Sequence, residues 1–283
     1  MTMLRNTLTA AFLFTASLLN AQALKVPAAS PTQSWKQAFG LGEISVEYSR
    51  PLARNRVIFG DLVPFDNVWR TGANSATKIT FTDDVTIEGK ALKAGTYAIY
   101  TIPGKASWEV MIYKDLTMGG NVSKYNSADE IMRVTVKPET LNRMVQSFTI
   151  NLDEVDAADA VLVMSWEKTL VPVHIHTEID SRIVQNIQTV MAADSRPYFQ
   201  AANYYYEHDK DMKQALAWAD KAIETNKAFF TVHLKAKIQM KMKDYKGAIA
   251  TAQESLKLAQ AAKNDDYVRL NEKLIAEAKK GGS

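Results

Sequence analysis

The hydrophobic period of this chain changes once, near residue 178, and that change sets the class of fold open to it. Before it, from Ile44 to His176, short segments either alternate apolar and polar residues or are rich in β-branched and aromatic ones. Ile79-Thr80-Phe81-Thr82, Thr96-Tyr97-Ala98-Ile99-Tyr100, Trp108-Glu109-Val110-Met111-Ile112, Arg133-Val134-Thr135-Val136, Ser147-Phe148-Thr149-Ile150, Val161-Leu162-Val163-Met164 and Leu170-Val171-Pro172-Val173 read as strands. Asp83-Asp84, Glu88-Gly89-Lys90, Ala94-Gly95 and Pro103-Gly104 are the turn signals between them. Strands that succeed one another without an intervening helix pair antiparallel. Residues 24–177 are therefore expected to form an antiparallel β-sandwich, with a barrel as the alternative.

From Glu178 onward the spacing is helical. Tyr245, Ala248, Ile249, Ala252, Leu256 and Ala259 share one stripe. The stripe recurs 33 residues earlier, where Met212, Ala215, Leu216, Ala219 and Ile223 match it and Asp211 and Lys213 precede Asp244 and Lys246 by the same offset. That spacing is close to the tetratricopeptide period of about 34 residues. The first helix of each unit matches less well, and no Pro follows the second. Residues 178–283 are thus expected to form a tetratricopeptide-like α-hairpin repeat domain of two degenerate repeats. Helices near Ser181–Ala193 and Asp265–Lys279 would cap the stack, since a short repeat cannot bury its apolar face alone.

The first 23 residues read as a secretory signal peptide. Arg5 is their only charge, an apolar run extends from Leu8 to Leu19, and Ala21-Gln22-Ala23 supplies the cleavage pattern. The run is about a dozen residues, short of the roughly 20 a membrane-spanning helix needs. The mature chain is expected to be periplasmic or secreted, with no membrane insertion after cleavage. Zero Cys excludes disulfides, thiolate metal sites, cysteine nucleophiles and lipid attachment through Cys. The 34 Lys and Arg against 31 Asp and Glu leave a net charge of +3, too balanced for a nucleic-acid partner. The helical half is Lys-rich, which is read as a solvated surface.

One segment of the β half stands out. Arg50, Arg54, Arg56 and Arg70 lie on a Pro- and Gly-containing connection longer than two neighbouring strands require. Guanidinium groups suit carboxylate, phosphate or sulfate, and Trp69 beside Arg70 offers a stacking face. The ligand-binding candidates are Arg50, Arg56, Trp69, Arg70, Asn74 and Glu167. The competing reading is structural, with the arginines pinned to Glu43, Glu47 or Glu167. His174 and His176 point to one face of a strand and invite a metal, with Glu167, Glu178 or Asp180 to complete the shell, but two His without a defined third ligand do not make a site, and no metal or cofactor is assigned. His208 and His233 read as structural or surface residues, and Tyr204-Tyr205-Tyr206 with Trp218 as repeat packing. Asp83-Asp84, Asp153-Glu154 and Asp265-Asp266 fit turns and caps. No nucleophile elbow, zinc-protease helix, phosphate loop or dinucleotide fingerprint is present, so the catalytic residues are unknown.

Tyr48-Ser49-Arg50-Pro51, Ile58-Phe59-Gly60, Leu62-Val63-Pro64, Val68-Trp69-Arg70-Thr71-Gly72-Ala73-Asn74, Ala94-Gly95-Thr96-Tyr97 and Ile102-Pro103-Gly104 together resemble the family called domain of unknown function 2911 over roughly residues 30–175. The resemblance implies an exported protein of Bacteroidota and points to the same connection, but it carries no established activity. The helical tail is similar to the repeat-bearing extension of some members. Two functions follow. In the first, the protein is a non-catalytic binding or scaffold protein, with a protein or peptide partner on the repeats and an anionic small molecule at the Arg-rich loop. In the second, it is a hydrolase acting on an anionic or glycan substrate, with Glu167 as base.

Overall fold

The structure, a computed structural model, describes residues 26–192 and 196–282. The signal-peptide reading of Met1–Ala23, and Ala193 at the end of the first capping helix, lie outside the described residues. The chain divides between Thr177 and Glu178 into two compact units.

The first unit is a sandwich of two antiparallel sheets. One holds β1 (Thr32–Phe39), β2 (Gly42–Ser49), β3 (Thr77–Phe81), β6 (Gly95–Ile102), β7 (Trp108–Tyr113) and β8 (Glu130–Val136), in the order β1-β2-β3-β6-β7-β8. The other holds β4 (Val85–Ile87), β5 (Lys90–Leu92), β9 (Glu139–Asp153) and β10 (Asp159–His176), in the order β5-β4-β10-β9. Two separate sheets replace the barrel alternative.

The core between the sheets follows from period two. Ile44, Val46 and Tyr48 of β2, Ile79 and Phe81 of β3, and Trp108, Val110 and Ile112 of β7 face Phe148, Ile150, Leu162, Met164, Trp166, Val171 and Val173 of the opposite sheet. β6 and β7 are also apolar on their outer side, where Ala98, Tyr100, Met111 and Tyr113 form a second cluster. The connection from β7 to β8 covers it with Leu116, Met118, Val122 and Tyr125. Two buried faces explain why these two strands read as nearly continuous apolar runs.

The second unit comprises α1 (Asp180–Met191), α2 (Tyr198–Glu207), α3 (Met212–Thr225), α4 (Phe229–Lys241), α5 (Tyr245–Ala261) and α6 (Asp265–Gly281). From α2 on, each helix packs on the next, and α4 also touches α2 and α6. The 33-residue offset relates α3 to α5. Asp211 caps α3 by accepting from the amides of Lys213 and Gln214, and Asp244 caps α5 by accepting from Gly247. Ala215 and Ala219 in α3, and Ala248 and Ala252 in α5, are fully buried. Small side chains at these positions let neighbouring helices approach closely. No helix among the described residues is long and apolar enough to cross a membrane.

Candidate functional site

The Arg-rich connection runs from the end of β2 to the start of β3 and is laid against both sheets. Leu52 bridges Ser147 of β9, and Trp69 bridges Thr101 of β6 through reciprocal backbone bonds of 2.7 and 2.9 Å. Two of its arginines serve as internal ties. Arg50 donates from Nε to the Phe148 carbonyl (3.1 Å) and from Nη2 to Thr149 Oγ1 (2.8 Å). Arg56 donates to the carbonyls of Ala53 (3.0 Å) and Leu52 (2.7 Å), closing its own turn. The expected carboxylate pins are not formed. Glu43 pairs with Lys36 (3.0 Å), Glu47 lies 3.8 Å from Lys78, and Glu167 Oε2 accepts from the Phe59 amide (3.3 Å). Oxygens of β9 and of the connection itself are the partners instead, and the planar fork reaches two at once in each case.

Trp69 and Arg70 sit on opposite sides of the sheet they join. Trp69 is buried in the inter-sheet core, stacked on Trp166 at 6.0 Å and edge-on to Phe148 at 5.1 Å, with Phe59 and Trp108 completing the cluster. It is therefore a core residue and not a stacking face beside Arg70. Arg70 lies on the outer side against Gly120, where an added Cβ would collide with its Nη1. Its Nε is buried without a hydrogen-bond partner, and its guanidinium makes no hydrogen bond or ion pair with any described residue. Next to it the Tyr100 hydroxyl donates to the Gly119 carbonyl (3.0 Å). Burial pushes Tyr100 up to about 12, the Asp115 charge adds to this, and Arg70 opposes it.

The turn after Arg70 is held in an unusual conformation. Thr71 and Asn74 have φ of 55° and 59°, and Gly72 has φ of 146°. A β-branched residue at positive φ is strained. The surroundings fix it in place, because Thr71 Oγ1 meets Thr101 Oγ1 at 3.1 Å and the Thr71 carbonyl accepts from Thr77 Oγ1 at 2.5 Å. Gly72 is required twice over, by its φ and because a Cβ there would lie 3.1 Å from the Ser49 carbonyl oxygen. Asn74 spends its amide on the Ser30 carbonyl (3.1 Å) and Ser49 Oγ (3.2 Å). Arg70 and Asn74 thus both border the Gly119-Gly120 loop. Glu167 occupies a bulge in β10 at φ 51°, tied to Phe59. The two histidines go to separate carboxylates, His174 Nδ1 to Glu88 (2.9 Å) and His176 Nδ1 to Asp159 (2.8 Å), and neither meets the carboxylates expected to complete a shell.

Residues 30–175, just over half of the chain, match the family described as protein of unknown function (DUF2911). The chain belongs to the DUF2911 family. Among curated proteins and solved structures none matches. All six ligand-binding candidates, from Arg50 to Glu167, fall inside the DUF2911 span, and the helical unit lies outside it.

That helical extension of the DUF2911 domain, on whose repeats a partner was expected, carries a cleft to which the sequence reading assigned no residues. A cleft of about 210 Å³ is lined by Tyr206 of α2, His233, Lys237 and Met240 of α4, and Leu270, Lys273, Leu274 and Glu277 of α6. Lys237 Nζ stands 4.4 Å from the Tyr206 ring centroid. Burial pushes its ammonium below the ordinary lysine value, Glu207 opposes this, and Lys241 reinforces it. Tyr206 packs on the helical core as the repeat reading expects, and its ring is also the floor under two lysine ammonium groups. Its neighbours pack as well: Tyr205 meets Trp218 edge-on at 4.8 Å, and Tyr204 stacks on His208 at 4.1 Å. The available signal was α4 itself, whose residues include three Lys and no acid.

Proposed function

We propose that this DUF2911 protein is a non-catalytic binding protein of the periplasm or the extracellular space, holding a protein or peptide partner on its helical repeats. The observation that carries the reading is the cleft shared by α2, α4 and α6, where Leu270 stays 46% exposed beside the half-buried Lys237. Stacked helical hairpins commonly bind through such extended faces. The export half of the reading is supported by Arg5, the Leu8–Leu19 run and Ala21-Gln22-Ala23. The test is site-specific photo-crosslinking in the full chain. A benzophenone side chain at Leu270 should give a discrete adduct in cells, and one at exposed Lys257 on α5 should not. Equal labelling from both positions, or from neither, overturns the reading.

A second site is supported by the unpartnered Arg70. An anion bound there would meet a guanidinium already desolvated at Nε. Arg70→Met should change stability by no more than about 1 kcal/mol, because no described partner is left stranded. Inorganic phosphate should raise the melting temperature of the wild type and leave that of the variant unchanged, as binding to the native state alone requires. A loss of about 3–5 kcal/mol would instead mark a buried pin. The hydrolase alternative draws less support, because Glu167 and Asn74 are committed to Phe59 and to Ser30 and Ser49.

A further inference from the structure

Helix α4 carries Lys235, Lys237 and Lys241, of which Lys237 and Lys241 are one turn apart on the same side. Lys235 is paired with Asp220 at 2.7 Å. Lys241 is paired with Asp209 at 2.6 Å and donates to the Tyr206 carbonyl at 2.8 Å. Lys237, between them, makes no ion pair or hydrogen bond with any described residue, although it is the one of the three that lines the cleft. Its compensation is the charge of Glu207 and the face of Tyr206, a cation–π contact that returns part of what desolvation costs. Across the cleft, Lys273 sits 4.0 Å from Glu277, a loose pair along the same helix that leaves its side chain 75% exposed. Glu277 is the one carboxylate of the lining, against Lys237 and Lys273. Beside these charges, Met240, Leu270 and Leu274 make an apolar wall.

Resting on the partner-binding reading above, we infer that this cleft recognises an acidic peptide segment in which a carboxylate side chain adjoins an apolar one. The carboxylate pairs with Lys237 and Lys273, and the apolar side chain packs on Leu270 and Met240. The charge complementarity is specific. A carboxylate arriving at Lys237 supplies the acceptor that Asp220 and Asp209 supply to its neighbours, in a site where Tyr206 excludes water from one side. A neutral peptide leaves the ammonium as it is. A polyanion without apolar side chains leaves the Leu270 wall uncovered.

The experiment uses the full chain and fluorescein-labelled octapeptides with two Glu-Leu pairs set among Ser and Gly. The controls replace Glu by Gln, or Leu by Ser, and binding is read by fluorescence anisotropy. The wild type should bind the Glu-Leu peptide at least tenfold more tightly than the Gln-Leu peptide, and raising the salt concentration should shrink that ratio. Lys237→Gln should bring the ratio close to one, and Lys237→Arg should restore most of it. Leu270→Ser should weaken both peptides about equally. A ratio near one in the wild type, or one that survives Lys237→Gln, overturns the acidic specificity. If both peptides then still bind and Leu270→Ser weakens both, the partner-binding reading stands without it. Failure of the Glu-Leu peptide to bind at millimolar concentration overturns the inference, and the crosslinking result at Leu270 then decides the broader reading separately.

Discussion

Trp69→Ala is expected to destabilise the sandwich by about 3–5 kcal/mol, the range for truncating a buried aromatic ring. For a unit of this size that is a fall in melting temperature of roughly 10 °C or more. The ring is the centre of a five-member cluster, in contact with Phe59, Trp108, Phe148 and Trp166, and it is only 9% exposed. Removing it leaves a cavity between the sheets and takes the stacking partner from Trp166. It also removes the side chain that anchors the Arg-rich connection in the core and leaves the two backbone hydrogen bonds between Trp69 and Thr101 to hold that segment on the sheet. Denaturant unfolding followed by far-ultraviolet circular dichroism checks this, with Trp69→Phe expected to recover more than half of the loss. A cost under about 1 kcal/mol would mean that the ring is not packed as described.

Much of the fold could be read from the period of the apolar residues, and the exceptions have physical causes. Each strand expected from Ile79 to Val173 falls on an observed one, with Thr82 alone lying beyond the end of its strand, β3. β1 escaped notice because it is an edge strand whose side chains are mostly exposed, so Thr32–Phe39 shows no apolar alternation. β4 and β5 have three residues each, too short for a pattern, although Glu88 and Gly89 at positive φ make the turn between them that Glu88-Gly89-Lys90 signalled. Two expected strands, Val161–Met164 and Leu170–Val173, are one 18-residue strand. The register shifts around Glu167 break its alternation in the middle, and the sequence reads that break as a gap.

The candidate site was legible as a place and less so as a set of contacts. The Arg-rich connection is tied down, but Arg50 and Arg56 are satisfied by carbonyl oxygens and the Thr149 hydroxyl, which no pattern of acidic residues can reveal. The pairing of Trp69 with Arg70 as one face was contradicted by a rule already available. Neighbours in an extended segment point to opposite sides, and Trp69 enters the core while Arg70 meets Gly120 on the far side. In the helical unit the lysines were read by composition as a solvated surface. Composition cannot separate Lys235 and Lys241, which find carboxylates from neighbouring segments, from Lys237, which finds none.

Asn271→Ala is expected to cost the helical unit about 3 kcal/mol, of which roughly 1–3 kcal/mol is one orphaned buried N–H. Asn271 is fully buried and links three helices. Its Oδ1 lies 2.8 Å from His233 Nδ1 of α4, and its Nδ2 donates to Ser255 Oγ of α5 (2.9 Å) and to the Tyr267 carbonyl of α6 (2.7 Å). Ser255 Oγ in turn donates to the Phe229 carbonyl (2.7 Å), so the network is complete and its loss is felt at each end. Burial pushes the His233 imidazole below its ordinary value of 6.5, with the Asn271 hydrogen bond pulling the other way and the Lys237 charge adding to the depression. A depressed histidine makes the unfolded chain the better proton acceptor, so its contribution is fully present above pH 6.5 and is lost as pH falls from there towards the folded value. The Lys237 charge also faces His233 within the same cleft, so Lys237→Gln should narrow that window. Asn271→Ala removes the bond that supports protonation and should widen it downward. Urea unfolding at pH 7.5 and pH 5.5 reads both effects: the wild type loses stability on acidification, the variant loses at least as much, and His233→Gln abolishes the difference. A wild-type stability that does not fall between those two pH values would show that His233 takes up its proton as freely in the folded chain as in the unfolded one.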